Sequence, residues 1–343
     1  MGESGRNLQN MILKKYNFKV QDIILERSKG REIWTVATEK GPMILKKFCR
    51  LEPRTKFIIA GMEHLRKNGI NIPEIYPNVD NRPYTTYKGS CYILMKVING
   101  RPPRYNSMDD LETIVNELGR FHNASKGFIP PAESNIIDLL GKWPNMMING
   151  LRILRCSYKI GKEEEKNTKI GEVILKELPY LIKRTKQLVL ALRISEYNSW
   201  VEKAKRKGSL CHLDYARYNL RICPDNRVYI FDFDTLAMEL PAIDIRKLIY
   251  HIYYTNIYDS DTIRKILSWY QQSNPLSKEE WLVARLIFLY PIEAINLFEK
   301  YIKMNRKQNM DNIISLIIKS IETEKKLYYD LGNYDDIINK LVM

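Results

Sequence analysis

Two hydrophobic rhythms divide this chain. In the first hundred residues, β-branched and aromatic side chains come in short runs at 20–25, 32–38 and 43–48. These runs predict three antiparallel strands joined by the turns Ser28-Lys-Gly-Arg31 and Glu39-Lys-Gly41. Residues 53–67 place Phe57, Ile58, Met62 and Leu65 on one helical face, and Asn68-Gly69 stops that helix. Two more strands are expected near 83–87 and 90–97, and a short amphipathic helix through Leu8, Met11, Ile12 and Tyr16 precedes them all. Asn99-Gly100-Arg-Pro-Pro103 is the clearest break, and beyond it the period becomes helical. Leu111, Ile114, Val115, Leu118 and His122 share a face over 108–125. Several helices are expected in 135–205, and more run from Ile243 to near the end, with Trp269, Leu282, Ile287 and Leu297 as core candidates. Strands followed by helices predict an α+β protein with a small β lobe and a larger helical one.

The helical half is interrupted once. His212-Leu-Asp214-Tyr-Ala-Arg-Tyr-Asn219 is followed by two short apolar runs around the turn Pro224-Asp-Asn-Arg227, and the second run ends in Ile230-Phe-Asp232-Phe-Asp234. This reads as loop, strand, hairpin turn, strand and acidic end. Kinase-type phosphoryl transfer needs such a set: one Asp takes the proton of a substrate hydroxyl, while an Asn and a second Asp hold magnesium, a hard cation that prefers oxygen ligands.

On these residues the chain resembles the aminoglycoside phosphotransferase and choline kinase branch of the protein-kinase-like fold, and within it the CotS-type bacterial spore coat proteins. Four further segments support the likeness: Ile44-Leu-Lys46-Lys-Phe48, Tyr92-Ile-Leu-Met95, Glu117-Leu-Gly-Arg-Phe-His122-Asn-Ala-Ser125 and Leu240-Pro-Ala-Ile-Asp244. The resemblance implies a nucleotide-binding lobe over 1–99. It implies a helical lobe over 100–343 that carries a catalytic loop at 210–219 and a metal-binding hairpin at 220–234. By the same likeness Asp214 is the general base, Asn219 and Asp232 are magnesium ligands, and Asp234 is a second-metal ligand or a support for the first. Lys46 contacts the phosphates of ATP, and Glu63 on the following helix is its ion-pair partner. Met95 and Ile98 belong to the strand and hinge that bind adenine through backbone groups. His212 and Asp244 are read as structural braces for the loop. The sequence departs from the family at the phosphate-covering turn, where Gly30 is the one glycine, and at Leu213, Ala216 and Lys96, where relatives often carry Gly, His and an acidic residue.

Composition narrows the reading. The five cysteines are scattered without a Cys-x-x-Cys pair, which fits a reducing compartment, and the four histidines form no ligand-like pair. No secretory signal is read at the N-terminus, and no apolar run is read as long enough to span a bilayer. The formal charge is +15. Residues 151–210 hold 15 Lys or Arg against 7 Asp or Glu, a net of +8. That excess is either the solvated outside of helices or a surface for acidic coat-protein partners. No nucleic-acid motif accompanies it, so nucleic acid is not expected as a partner. A positive chain disfavours cationic aminoglycosides as acceptors and favours neutral or anionic ones. The expected function is phosphotransfer from ATP to the hydroxyl of an unknown small molecule or sugar, and the alternative is a kinase-fold scaffold in coat assembly. The family places the protein in the mother cell and then in the spore coat.

Overall fold

The computed structural model describes residues 11–27, 32–48, 51–255, 259–304, 310–332 and 334–342. The turn at 28–31 expected to cover phosphates, and most of the expected N-terminal helix, lie outside the described residues.

The expected strands form β1 (Val20–Arg27), β2 (Ile33–Thr38) and β3 (Gly41–Lys47). Helix α1 (Glu52–Lys67) follows, then β4 (Ile75–Tyr76), β5 (Thr85–Tyr87) and β6 (Ser90–Lys96). The sheet order is β1-β2-β3-β6-β4, every pairing is antiparallel, and β5 also pairs with β6. Alternation along the strands separates two apolar faces. Trp34, Val36, Leu45 and Leu94 pack with Ile12, Leu13 and Tyr16 on one face. Ile93, on the other face, joins Phe57, Ile58, Met62 and Leu65 of α1 in the main core. Helix α1 ends as expected: Gly69 adopts φ +88°, a conformation that favours glycine after a helix.

The segment after β6 is tied down by Arg101, which exchanges two backbone hydrogen bonds with Ile222 (3.0 and 2.8 Å) and pairs with buried Asp110. The helical part comprises α2 (Met108–Ala124), α3 (Trp143–Glu163), α4 (Lys169–Arg193), α5 (Tyr197–Lys207), α6 (Ala242–Tyr254), α7 (Ser260–Ser273), α8 (Lys278–Leu289), α9 (Ile292–Lys303), α10 (Met310–Asp330) and α11 (Tyr334–Val342). Between α5 and α6 lie β7 (Leu210–Cys211), the hairpin β8 (Leu220–Ile222) and β9 (Val228–Ile230), and β10 (Ala237–Met238), which pairs with β7.

Two expectations change. Ile287 is core, and Trp269 and Leu297 pack against it, but Leu282 is exposed because it sits one residue past buried Trp281 on the same helix. The stretch Lys278–Lys303 does have the length and apolar composition of a membrane span. In the fold it is two helices, α8 and α9, broken at Pro291, and 61% of its most apolar window is buried inside the protein. Of the fifteen cations in 151–210, all but buried Arg184 and half-buried Lys203 are exposed, which both readings of the basic excess require.

Candidate functional site

A cavity of about 390 Å³ opens between the sheet and the β8–β9 hairpin. That is within the size range of small-molecule sites. Lys46, Met95 and Ile98 line it from the sheet side, and Asn219 and Asp232 from the hairpin side.

The hairpin side is built around a buried carboxylate. Asp244, in the first turn of α6, accepts hydrogen bonds from the backbone N–H groups of His212 (2.6 Å) and Leu213 (2.8 Å) and from His122 Nε2 (3.2 Å). Full burial alone would raise its pKa; the donors, His122 first, outweigh burial and hold it below the ordinary carboxylate range. His122 Nδ1 lies 2.8 Å from the Tyr270 hydroxyl, so its ring is held on both sides. His212 continues the chain: its Nδ1 accepts from the Asp214 N–H (3.2 Å), and its Nε2 must then donate to the Phe231 carbonyl (2.7 Å). These partners fix a neutral tautomer, in agreement with a pKa lowered by burial. Thr235 adds a hydroxyl bond to the His212 carbonyl at 2.7 Å. His212 and Asp244 thus sit as braces.

The loop is also strained in two places. Leu213 adopts φ +59° and Asp232 φ +60°, the left-handed region. This explains why glycine suits the Leu213 position, since a Cβ there costs about 1–2 kcal/mol. Asp244 at its N–H and Lys247, which donates to its carbonyl, hold Leu213 in that shape.

Asp214 and Asn219 come together directly. The Asn219 side-chain amide donates to the Asp214 backbone carbonyl (2.8 Å) and to its carboxylate (2.9 Å), and the Asn219 carbonyl accepts from the Phe231 N–H (2.9 Å). The last bond joins the loop to the strand end that carries Asp232.

From the sheet, Lys46 reaches both hairpin carboxylates: its Nζ lies 2.8 Å from Asp232 and 2.8 Å from Asp234. Its side chain is only 5% exposed and lies against the Phe48 ring. Lys47 turns to the other face and pairs with Glu32, as strand alternation requires. The expected Lys46–Glu63 pair is not formed. Glu63 is exposed, and Met62 presents to the cavity wall instead. Arg54 of α1 donates to the backbone carbonyls of Asp234 and Leu236, which anchors the helix to the acidic loop.

Two tyrosines escaped the sequence reading. Buried Tyr105, its pKa pushed up to about 12 by burial, accepts from the Arg217 N–H at 3.0 Å. Exposed Tyr218 donates its hydroxyl to Asp214 Oδ1 at 2.8 Å. Burial and the Asp214 carboxylate raise its pKa well above the ordinary tyrosine value. Aromatic residues beside a catalytic-type Asp were the available signal, but loop sequence does not say where a side chain turns.

A sheet that supplies a buried lysine, and a helical part that supplies an Asp–Asn loop and an acidic strand end, define the protein-kinase-like phosphotransferase fold. Solved structures agree. An aminoglycoside phosphotransferase from Alicyclobacillus acidocaldarius subsp. acidocaldarius DSM 446 superposes with a TM-score of 0.82 at 15% identity, over 97% of this chain and 96% of that one. A microcompartment-associated aminopropanol kinase gives 0.66 at 16% identity, over 93% and 96%. An amicoumacin kinase in complex with AMP-PNP and Ca2+ gives 0.64 at 15%, over 95% and 96%.

Residues 9–333 match the family described as "Spore coat putative kinase YutH", and the chain belongs to that family. It is also 25% identical over 340 residues to spore coat protein S of Bacillus subtilis (strain 168), covering 96% of this chain and 94% of that protein.

Proposed function

We propose that this spore coat family member is an ATP- and magnesium-dependent phosphotransferase acting on the hydroxyl of a small molecule or sugar, made in the mother cell and carried into the coat. The observation that carries the reading is that Lys46, Asn219 and Asp232 line one cavity, with the Asp214 carboxylate hydrogen-bonded to the Asn219 amide at 2.9 Å and Lys46 paired with Asp232 at 2.8 Å. Met95 and Ile98 offer an apolar wall and hinge backbone to the adenine. Asp214 orients the acceptor hydroxyl and takes its proton. Lys46 holds the phosphates.

The donor set suits magnesium, since Asn219, Asp232 and Asp234 present oxygen atoms, and a cation is already drawn between the two carboxylates in the form of the Lys46 ammonium. When bound there, magnesium would neutralise charge on the polyphosphate. The lobe division at 99/100 is part of the same proposal: the cavity lies where the two would meet. The positive charge of the chain supports a neutral or anionic acceptor.

One observation favours a second reading. With Met62 at the cavity wall and Glu63 in solvent, α1 gives Lys46 no carboxylate, which suits a kinase-fold scaffold in coat assembly. Calorimetry and thermal shift with ATP, with magnesium or with EDTA, separate the two. A ligand that binds only the folded state at 100 times its Kd adds about 2.7 kcal/mol. Phosphotransferase chemistry expects magnesium-dependent binding that Asp232→Asn weakens by more than the roughly 10–100-fold loss usual for groups behind the ligands. No binding at millimolar ATP would hand the protein to the scaffold reading.

A further inference from the structure

The catalytic-type loop carries a hydroxyl of its own where an acceptor hydroxyl belongs. A general base must lie about 2.6–3.2 Å from the oxygen whose proton it takes. The Tyr218 phenol meets that condition, donating to Asp214 Oδ1 at 2.8 Å, while the other carboxylate oxygen is held by Asn219 at 2.9 Å. The side chain is not placed there by core packing, because Tyr218 is 58% exposed. Its backbone is fixed instead. The Asn219 N–H bonds to the Ala216 carbonyl (2.8 Å), the Arg217 N–H to the buried Tyr105 hydroxyl (3.0 Å), and Arg221 to the Tyr218 carbonyl (3.2 Å). Tyr218 lines the same cavity as Lys46, Asn219 and Asp232. Among the hydroxyls bonded to described residues, this one joins the proposed base to the proposed phosphate site.

We propose that Tyr218 is itself a phosphoryl acceptor, modified by the same chain that carries it. This rests on the phosphotransferase reading above, with ATP as donor. The phenol oxygen forms a bond to the γ-phosphorus, and the bond from that phosphorus to the β,γ-bridging oxygen breaks. The electron pair leaves with ADP. The phenol proton passes to Asp214 and from there to water. No oxidant or reductant is needed. The product sets a phosphate dianion beside the Asp214 carboxylate, so like-charge repulsion disfavours a second nucleotide at the modified site. The modification is therefore self-limiting, at one phosphoryl group per chain.

The test is intact-mass and fragment-ion spectrometry of the full chain after incubation with magnesium-ATP, alongside calorimetry of magnesium-ATP binding to the same preparation. The expected result is a gain of one phosphoryl group on Tyr218. Its first-order rate should not change with protein concentration, and Asp214→Asn should slow it by about 100-fold or more. Tyr218→Phe keeps the ring and should take no label, with its melting temperature reporting that it is folded. A chain that binds magnesium-ATP yet stays unmodified, or is modified elsewhere, overturns the assignment and leaves the nucleotide reading standing. A rate proportional to protein concentration overturns same-chain transfer. A chain that fails to bind magnesium-ATP removes both readings together.

Discussion

The two sides of the cleft are held by different means. The hairpin side rests on Asp244, a fully buried carboxylate that binds two loop N–H groups and a buried histidine, none of which faces the cavity. On the sheet side, among the described residues, no buried carboxylate stands behind Lys46: beside the Phe48 ring, what holds the lysine is Asp232 and Asp234, the groups it would share with a ligand. One side is organised by structure behind the site, the other by the site's own charges. The first should survive changes in the cleft, and the second should respond to whatever enters it.

The most damaging way to break the contrast is Asp244→Ala. It leaves the His212 and Leu213 N–H groups buried without an acceptor, and should destabilise the protein by about 3–5 kcal/mol in urea unfolding. A loss below about 1 kcal/mol would show that the loop is held by something else.

Acidity sharpens the same point. Glu239, five residues before Asp244, is also buried, but burial dominates and raises its pKa to about 8. Its backbone donor is the Leu240 N–H (2.7 Å). A raised carboxylate keeps its proton when folded after the unfolded chain has lost it. Its stabilisation is therefore full below the ordinary value of 4.5 and falls as pH rises towards about 8. Asp244, with its lowered pKa, runs the other way and loses stabilisation in acid. Glu239→Gln should flatten the alkaline fall, gaining on the order of 3 kcal/mol relative to wild type near pH 8 in urea melts. An unchanged slope between pH 5 and 8 would assign the dependence elsewhere.

The smallest effect belongs to the sheet side. Lys46→Met removes the cation shared by Asp232 and Asp234 and should lower stability by about 1–2 kcal/mol, because both carboxylates keep some contact with solvent. Millimolar magnesium without nucleotide should recover much of that in a thermal shift. A variant as stable as wild type and blind to magnesium would mean the clasp carries no energy.

The sequence revealed what depends on local period. Strands β1 to β3, helices α1 and α2, and the β8–β9 hairpin lie close to their expected bounds, because alternation and helical spacing are written within each segment. Strands β4, β7 and β10 went unread. Each has two residues, and their partners lie far along the chain. The site divides the same way. Lys46, Asn219 and Asp232 line one cavity and Asp214 bonds to Asn219, whereas Glu63 fails for a reason the helix itself contained. Phe57, Ile58, Met62 and Leu65 define the buried face, and a residue next to Met62 is turned about 100° away from it. Tyr218 was out of reach because a 3-10 turn, Arg217–Asn219, decides where its ring goes.

The clasp on Lys46 also makes filling the cleft an exchange. A newcomer must relieve two carboxylates of their ammonium and give that ammonium another anion in the same event. A metal ion alone supplies only the first, and a free polyphosphate only the second. Under the proposed function, arriving as one complex they would satisfy both, and the cleft would act as a coincidence detector that answers to the pair and stays nearly silent to either alone.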